Sequence, residues 1–160
     1  MNNSLKQEIK SMFKNIKVII SKDKSMLINA RKDQLLAVLK FLKGKGYNHL
    51  ALISCIDWEE EKQFEMVYVL TPYLQRSKKV TDDWRLHVIV KFRIPRENAE
   101  FITAIPVFKN AEPYEREIHE LFGINFEGHP RLTQLFLERE YKIPPFRKDF
   151  DTRKYVKEIF

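Results

Sequence analysis

Apolar residues open the chain at helical spacing, with Leu5, Ile9, Met12 and Phe13 on one face behind Ser4 as a candidate N-cap and Gln7 three residues on. Two short strands, Val18-Ile19-Ile20 and Met26-Leu27-Ile28, are expected around the polar turn at 21–25. A second helix carries the stripe Leu35, Val38, Leu39 and Leu42 and is stopped by Gly44 and Gly46. Three strands then follow without an intervening helix. Residues 50–56 are apolar nearly throughout, the pattern of a central strand, and Phe64, Met66, Tyr68 and Leu70 alternate with more polar neighbours. From Trp84 to Ile94 the alternation is almost strict. Consecutive strands without a crossover pair antiparallel, which makes the class α+β: an antiparallel sheet flanked by helices. The long polar connection from Pro72 to Asp83 is expected to be a hairpin loop that only a partner would order.

The pattern changes after Pro95. Residues 99–108 are briefly apolar, and an acidic helix is expected from about Glu112 to Phe122, ended by Gly123, with Tyr114, Ile118, Leu121 and Phe122 on its apolar face and Glu115, Glu117 and Glu120 pointing elsewhere. From Ile124 to Asp151 little regular structure is predicted, because Gly128, Pro130, Pro144 and Pro145 interrupt it. Yet Phe126, Leu132, Leu135, Phe136, Leu137 and Phe146 are too apolar to lie free in water, so the segment must cover a surface of this chain or of a neighbour. The expected organisation is a body over 1–123 and an extended C-terminal segment over 124–160.

Composition narrows the chemistry. The 160 residues are 44% hydrophobic and 32% charged with 4 Gly and 7 Pro, a globular rather than a disordered or repetitive composition. The single cysteine, Cys55, cannot form an internal disulfide or hold a zinc ion or iron–sulfur cluster as part of a cysteine set. No apolar run approaches the ~20 residues of a spanning helix, and the first residues lack a signal-peptide core, so a cytoplasmic protein is expected, reaching a membrane only through other subunits. The net charge of +7 arises in the first half, where residues 1–80 carry 15 basic and 8 acidic side chains against 14 of each over 81–160. Such an excess suits solubility first. It also admits a basic nucleic-acid-binding module, although Lys6, Lys10, Lys14 and Lys17 have no interleaved aromatic platform for stacking bases. Salt discriminates the two, since phosphate contacts weaken steeply with ionic strength and apolar docking does not.

Five carboxylates and one Arg fall between Glu112 and Glu127. A carboxylate pair with His119 would suit acid–base catalysis, and Glu115 and His119, four apart, could begin a metal site completed by His129, His49 or His87. No nucleophile elbow, phosphate loop or metal motif accompanies them, which favours solvated or salt-bridged side chains. Arg116 can pair along its helix with Glu112 or Glu120, and its planar fork also suits a carboxylate of another chain.

The run Glu115-Arg116-Glu117-Ile118-His119-Glu120-Leu121-Phe122-Gly123-Ile124, continuing through Phe126-Glu127-Gly128-His129-Pro130, closely resembles the signature of the C subunit of respiratory NADH:quinone oxidoreductase (complex I) and its homologues in membrane-bound, energy-converting hydrogenases. Pro144-Pro145-Phe146-Arg147-Lys148-Asp149-Phe150 resembles the second family motif, which usually has Leu where Phe146 stands. The order of elements fits that family over most of the chain. The resemblance implies a non-catalytic, peripheral subunit that binds no cofactor and packs between a nickel–iron-hydrogenase-like large subunit and an iron–sulfur small subunit. It would touch the membrane subunits only indirectly, at the cytoplasmic face of the membrane. Clusters and any nickel–iron centre would belong to those partners. By the same resemblance Glu115, Arg116, Glu117, Glu120, Phe122, Gly123, Phe126, Gly128, His129, Pro130, Pro145, Arg147, Lys148 and Asp149 are expected at subunit interfaces. The family usually carries two arginines near Thr133 and Gln134; their absence here points toward the hydrogenase or a related ferredoxin-linked branch.

Overall fold

A computed structural model describes residues 2–21, 25–73 and 87–154. The first helix, α1 (Asn2–Met12), begins two residues before Ser4, so that serine lies inside the helix rather than capping it, with its Oγ 3.5 Å from Glu8 Oε1. Strands β1 (Lys17–Ile20) and β2 (Met26–Ala30) pair antiparallel, as their spacing predicts. A short 3-10 turn leads into α2 (Leu35–Gly44), whose predicted stripe is buried and which ends at the predicted glycines, Gly46 taking φ +98°.

The three expected strands are β3 (His49–Trp58), β4 (Gln63–Thr71) and β5 (Val88–Pro95), with β4 between the other two and antiparallel to each. Trp84 to Leu86 and most of the 72–83 connection fall outside the described residues. The sheet order β1-β2-β5-β4-β3 departs from expectation twice. First, β2 pairs parallel with β5, so the sheet is mixed. Sequence neighbours do pair antiparallel; the parallel contact joins strands separated by α2 and the β3–β4 hairpin, a crossover long enough to permit it. Second, β3 is an edge strand rather than a central one. Its apolar residues on both sides reflect a sheet whose outer face is itself apolar, a distinction that hydropathy alone cannot make.

One sheet face carries Met26, Ile28, Phe64, Met66, Tyr68, Leu70, Val88, Val90 and Phe92, all fully buried, and these join Ile9 of α1 and Leu35, Leu39 and Leu42 of α2 in a single core. Beyond β5, residues 99–108 include β6 (Glu100–Ile102), which pairs parallel with β7 (Asn125–Glu127) after the third helix, α3 (Ala111–Phe122). Neither three-residue strand is visible in the hydropathy pattern. Phe101 and Phe126 meet edge to face at 6.4 Å in this ladder; β7 thus departs from the irregular 124–151 expected, whose remainder over 129–151 has no helix or strand.

A bulge at Ala51 gives α3 its anchorage. The ladder slips between Leu50 and Leu52, and the two carbonyls at that point are taken by Asn110 Nδ2, 2.8 Å from Leu50 O, and Tyr114 Oη, 3.0 Å from Ala51 O. Two bonds therefore fix the start of α3 on the edge strand, and the direction in which every other α3 side chain points follows from them.

Candidate functional site

The charged motif lies on α3 and faces inward. Ile118 and Leu121 are buried as predicted and Tyr114 and Phe122 half-buried, but Glu115 is fully buried and Arg116 only 9% exposed. The expectation that Glu115 points away from the core fails because α3 is covered on two sides, by the β6–β7 region and by the segment that follows Gly128.

Glu115 accepts hydrogen bonds from Thr103 Oγ1 and Ala104 N, both at 2.6 Å. Burial pushes its carboxyl up to about 7 against the pull of those two donors, with Glu112 adding to the rise. The proton is therefore kept on folding between the ordinary carboxylate value and about 7, so stability falls with rising pH across that window and levels off above it. Glu115→Gln, an isostere of the protonated acid, is expected to abolish this slope and to exceed the wild type at pH 8 by up to about 3 kcal/mol in urea titrations.

Arg116 and Glu120 both hold the segment after Pro130. Arg116 donates to Thr133 O from Nε (3.1 Å) and to Gln134 O from Nη2 (2.6 Å), while Nη1 stands 3.6 Å from Glu112. Its two shorter bonds go to main-chain carbonyls, and Nη2 adds a longer one to Thr133 Oγ1 at 3.3 Å, so the site holds the strap without the arginines the family usually carries there. One turn further, the Glu120 carboxylate accepts the N–H groups of Phe136 (2.9 Å) and Leu137 (2.7 Å). His129 accepts from Arg131 N at Nδ1 (3.1 Å), which leaves Nε2 to donate to Glu112 O (3.2 Å). His119 Nδ1 donates to Ile124 O at 2.9 Å. Both His129 nitrogens and the Glu115 carboxylate are thus engaged by their own chain, and the described residues contain no group of three His, Cys, Asp or Glu placed to share a metal. Glu117 is half-buried beside them.

Two glycines shape the path. Gly123 caps α3 at φ +76°, and a Cβ there would stand 2.9 Å from Pro144 Cγ; Gly128 at φ +80° brings the chain against Thr103. Gly123→Ala would force an alanine into a left-handed backbone and displace a rigid proline ring, so it is expected to cost about 1–2 kcal/mol. The check is a lowered urea midpoint together with faster hydrogen exchange at Phe146 N, which donates to Leu121 O at 3.0 Å.

The second motif closes on a buried carboxylate that sequence reasoning missed. Asp57 of β3 is 4% exposed and accepts Arg96 Nε at 2.8 Å, Arg96 Nη2 at 3.0 Å and the Lys148 N–H at 2.9 Å. Arg96 also reaches Asp149 at 2.8 Å, and Arg147 grips Asp149 through Nε and Nη2, each 3.1 Å away. Burial pushes Asp57 up, but Arg96 and the Lys148 N–H outweigh it and hold the carboxyl below its ordinary value; burial likewise raises Asp149, and Arg147 and Arg96 outweigh it there. Phe146 stacks edge-on against Phe122 at 5.8 Å and Pro145 is half-buried. A carboxylate on the core-facing parity of an apolar strand is the signal that could have marked Asp57; Arg96, just past the strand, offers none.

Of the residues expected at an interface, Glu115, Arg116 and Phe126 are therefore enclosed by their own chain, and Glu120, His129, Arg147 and Asp149 hold one part of it to another. Gly128, Pro130 and Lys148 remain exposed. So do three large apolar side chains of the held segment: Phe136 at 67%, Phe146 at 59% and Ile143 at 38%.

Residues 28–156 match the family described as respiratory-chain NADH dehydrogenase, 30 Kd subunit. The C subunit of the F(420)H(2) dehydrogenase of Methanosarcina mazei is 34% identical over 122 residues, covering 75% of this chain and 72% of that protein. The C subunit of the NADH-quinone oxidoreductase of Moorella thermoacetica is 31% identical over 145 residues, covering 90% and 91%. Among solved structures, a chain of the membrane-bound sulfane sulfur reductase, an archaeal respiratory membrane complex, superposes with a TM-score of 0.80 at 25% identity, over 99% of this chain and 91% of that one. The trypsin-resistant fragment of Nqo5 shares the fold, with a TM-score of 0.68 at 23% identity over 82% of this chain and 98% of the fragment. With both motifs placed on one helix and the strap it holds, and with the family match spanning most of the sequence, the chain belongs to the 30 kDa subunit family of respiratory-chain NADH dehydrogenase, which includes the C subunits of complex I-like enzymes.

Proposed function

We propose that this chain is the non-catalytic, cofactor-free peripheral C subunit of a complex I-like, ion-translocating membrane oxidoreductase. It braces the electron-transfer subunits at the cytoplasmic face of the membrane, with residues 112–150 as its main docking surface. Its neighbours are a large subunit of the nickel–iron-hydrogenase type and a small iron–sulfur subunit, and the redox centres belong to them. None of the described helices is long and apolar enough to cross a membrane, so attachment runs through those neighbours and the membrane subunits beneath them.

One observation carries this reading. A segment without helix or strand is fixed by buried charges of its own chain and yet turns Phe136, Ile143 and Phe146 outward. Holding an irregular strap in one shape lowers the entropy lost on docking, and apolar side chains on such a strap are the anchors a partner would bury. The motif charges then act as positioning residues: they set the strap's shape, and the strap makes the contact. The likeness to a chain of the sulfane sulfur reductase complex and the uncharged Thr133 and Gln134 favour the hydrogenase-related branch over the quinone-reducing one.

The test is to tag the chain in its native host, extract membranes with mild detergent, and identify the co-purifying proteins together with nickel, iron and acid-labile sulfide. Recovery of a hydrogenase-like large subunit, an iron–sulfur small subunit and membrane subunits is expected, nickel marking the hydrogenase branch. Recovery of the chain alone from the soluble fraction would overturn the proposal.

A further inference from the structure

The sheet face turned away from the core carries an apolar row that runs across all five strands. Register sets Leu52 of β3 beside Val69 of β4, Val69 beside Ile89 of β5, Ile89 beside Leu27 of β2, and Leu27 beside Ile19 of β1. At ~4.8 Å per strand the row is about 19 Å long. Its two ends, Leu52 and Ile19, are 44% and 40% exposed, and Ile56, on the same face of β3, is 37% exposed. Single exposed apolar residues are ordinary on a soluble surface, but a row in register over a whole sheet is not.

Charge borders the row on one side. The next cross-strand row ends in Lys91, Asn29 and Lys17, and Arg93 follows in the third. These cations line an open cleft with Arg31 and Lys32, where two carboxylates, Asp33 and Glu65, face five cationic side chains. Both carboxylates are already engaged: Arg31 holds Asp33 at 2.8 Å, and Glu65 lies between Lys91 at 2.6 Å and Arg93 at 3.2 Å. Among the described residues Lys17 and Lys32 have no ion-pair partner, so the border carries uncompensated positive charge. An apolar centre with a polar, charged rim is the anatomy of a protein interface. The five-residue apolar row contains no aromatic ring, and Trp58, further along the same face, is already covered by the Arg93 guanidinium 5.4 Å from its ring, which disfavours stacked bases and so a nucleic acid.

We propose that this open sheet face is a second docking surface, which takes a patch of another subunit that is apolar at its centre and acidic where it meets Lys17 and Lys32. The proposal rests on the reading of the chain as a subunit of a larger assembly and goes beyond it. The strap sits against Asp57 and Phe64, whose strand neighbours Ile56 and Glu65 point to the opposite face, so strap and row address different sides of the molecule. The chain would then be a wedge held between two neighbours, and its basic first half would have an acidic counterpart.

The experiment places the photo-crosslinker p-benzoylphenylalanine at Leu52, and separately at Phe136, in the tagged full-length chain, with irradiation of native membranes. The Leu52 probe is expected to capture a subunit of the same complex through a peptide carrying Asp or Glu. Lys17→Glu with Lys32→Glu, both exposed positions whose circular dichroism should match the parent, is expected to lower that adduct about tenfold and leave the Phe136 adduct unchanged. Capture from Phe136 but not from Leu52 would overturn this proposal alone, as would Leu52 adducts to lipid, to nucleic acid or to a peptide without acidic residues. Capture from neither site would overturn the docking role of the strap as well.

Discussion

Arg116→Ala is expected to lower the stability of the isolated chain by about 3–5 kcal/mol, because a buried charge network loses its centre. For a chain of this size that corresponds to a fall in melting temperature of roughly 10 °C. The physical chain of causes is short. Arg116 is the donor for two carbonyls, Thr133 O and Gln134 O, and for Thr133 Oγ1, and without it all three lose that donor, while Glu112 keeps only the exposed Arg131, 3.7 Å away. Trypsin cleavage after Arg131 and Arg139 should quicken accordingly, since the strap between them keeps only its Glu120 bonds to α3. Arg116→Lys keeps the charge but lacks the planar fork that reaches both carbonyls, so it should recover only part of the loss. The measurement also separates two roles that the sequence left open. A residue whose function is to meet another subunit would leave the melting temperature of the free chain unchanged when removed; a positioning residue within the chain would not.

Asp57→Asn is the second large effect, with an expected cost of about 3 kcal/mol, since it leaves Arg96 without its bidentate acceptor at a site where the arginine is mostly enclosed. The amide also turns an N–H toward donors that need an oxygen. A second, independent signature of the same cluster is its response to pH. Both Asp57 and Asp149 have carboxyls held below the ordinary value by neighbouring guanidiniums, against the effect of burial. Their contribution is therefore fully present above the unfolded value of about 3.9 and is lost as pH falls through their lowered folded values. Acid titration of the wild type should show this loss below about pH 4, and Asp57→Asn should show a shallower one because a titrating group has been removed. In the opposite direction, the Glu115 window between the ordinary carboxylate value and about 7 should be unaffected by Asp57→Asn, since Glu115 faces Thr103 and Ala104.

The fold was legible in the sequence wherever a period could be read. The stripe on α2, the alternation on β4 and β5, the stop at Gly123 and the absence of helix or strand from 130 to 151 all follow from hydropathy and from turn chemistry, and the structure has each of them. What could not be read was pairing between strands distant in sequence. Nothing in Met26 to Ala30 says that its neighbour is β5, nor does the apolar run of β3 say that it is an edge, because register and order depend on contacts no local pattern encodes. The strands β6 and β7 are three residues each, too short for any period.

The site was legible in a different sense. The motif residues were identifiable by their resemblance to a family, and the helix that carries them by its spacing, but their direction was not. A row of Glu, Arg, Glu and Glu has the look of a wetted or partner-facing surface, whereas Glu115 is buried against Thr103 and Ala104 ahead of the helix and Arg116 under a strap that folds back after it. Asp57 and Arg96 were missed for the related reason that their partners, Lys148 and Asp149, lie 91 and 53 positions further along the sequence. The consequence for function is a division of labour: conspicuous charges shape the surface from within, and inconspicuous apolar residues are presented to a neighbour.

Hydroxyl-radical footprinting of the purified full chain and of the detergent-extracted complex tests that division most directly, because it reads side-chain exposure at Phe136, Phe146 and Tyr114 in one experiment. Phe136 and Phe146 are expected to be heavily labelled in the free chain and protected several-fold in the complex, while half-buried Tyr114, hydrogen-bonded to Ala51, changes little. Equal labelling of Phe136 and Phe146 in both preparations would mean that the strap is not the surface by which this chain docks, and that its buried charges hold it in shape for some other reason.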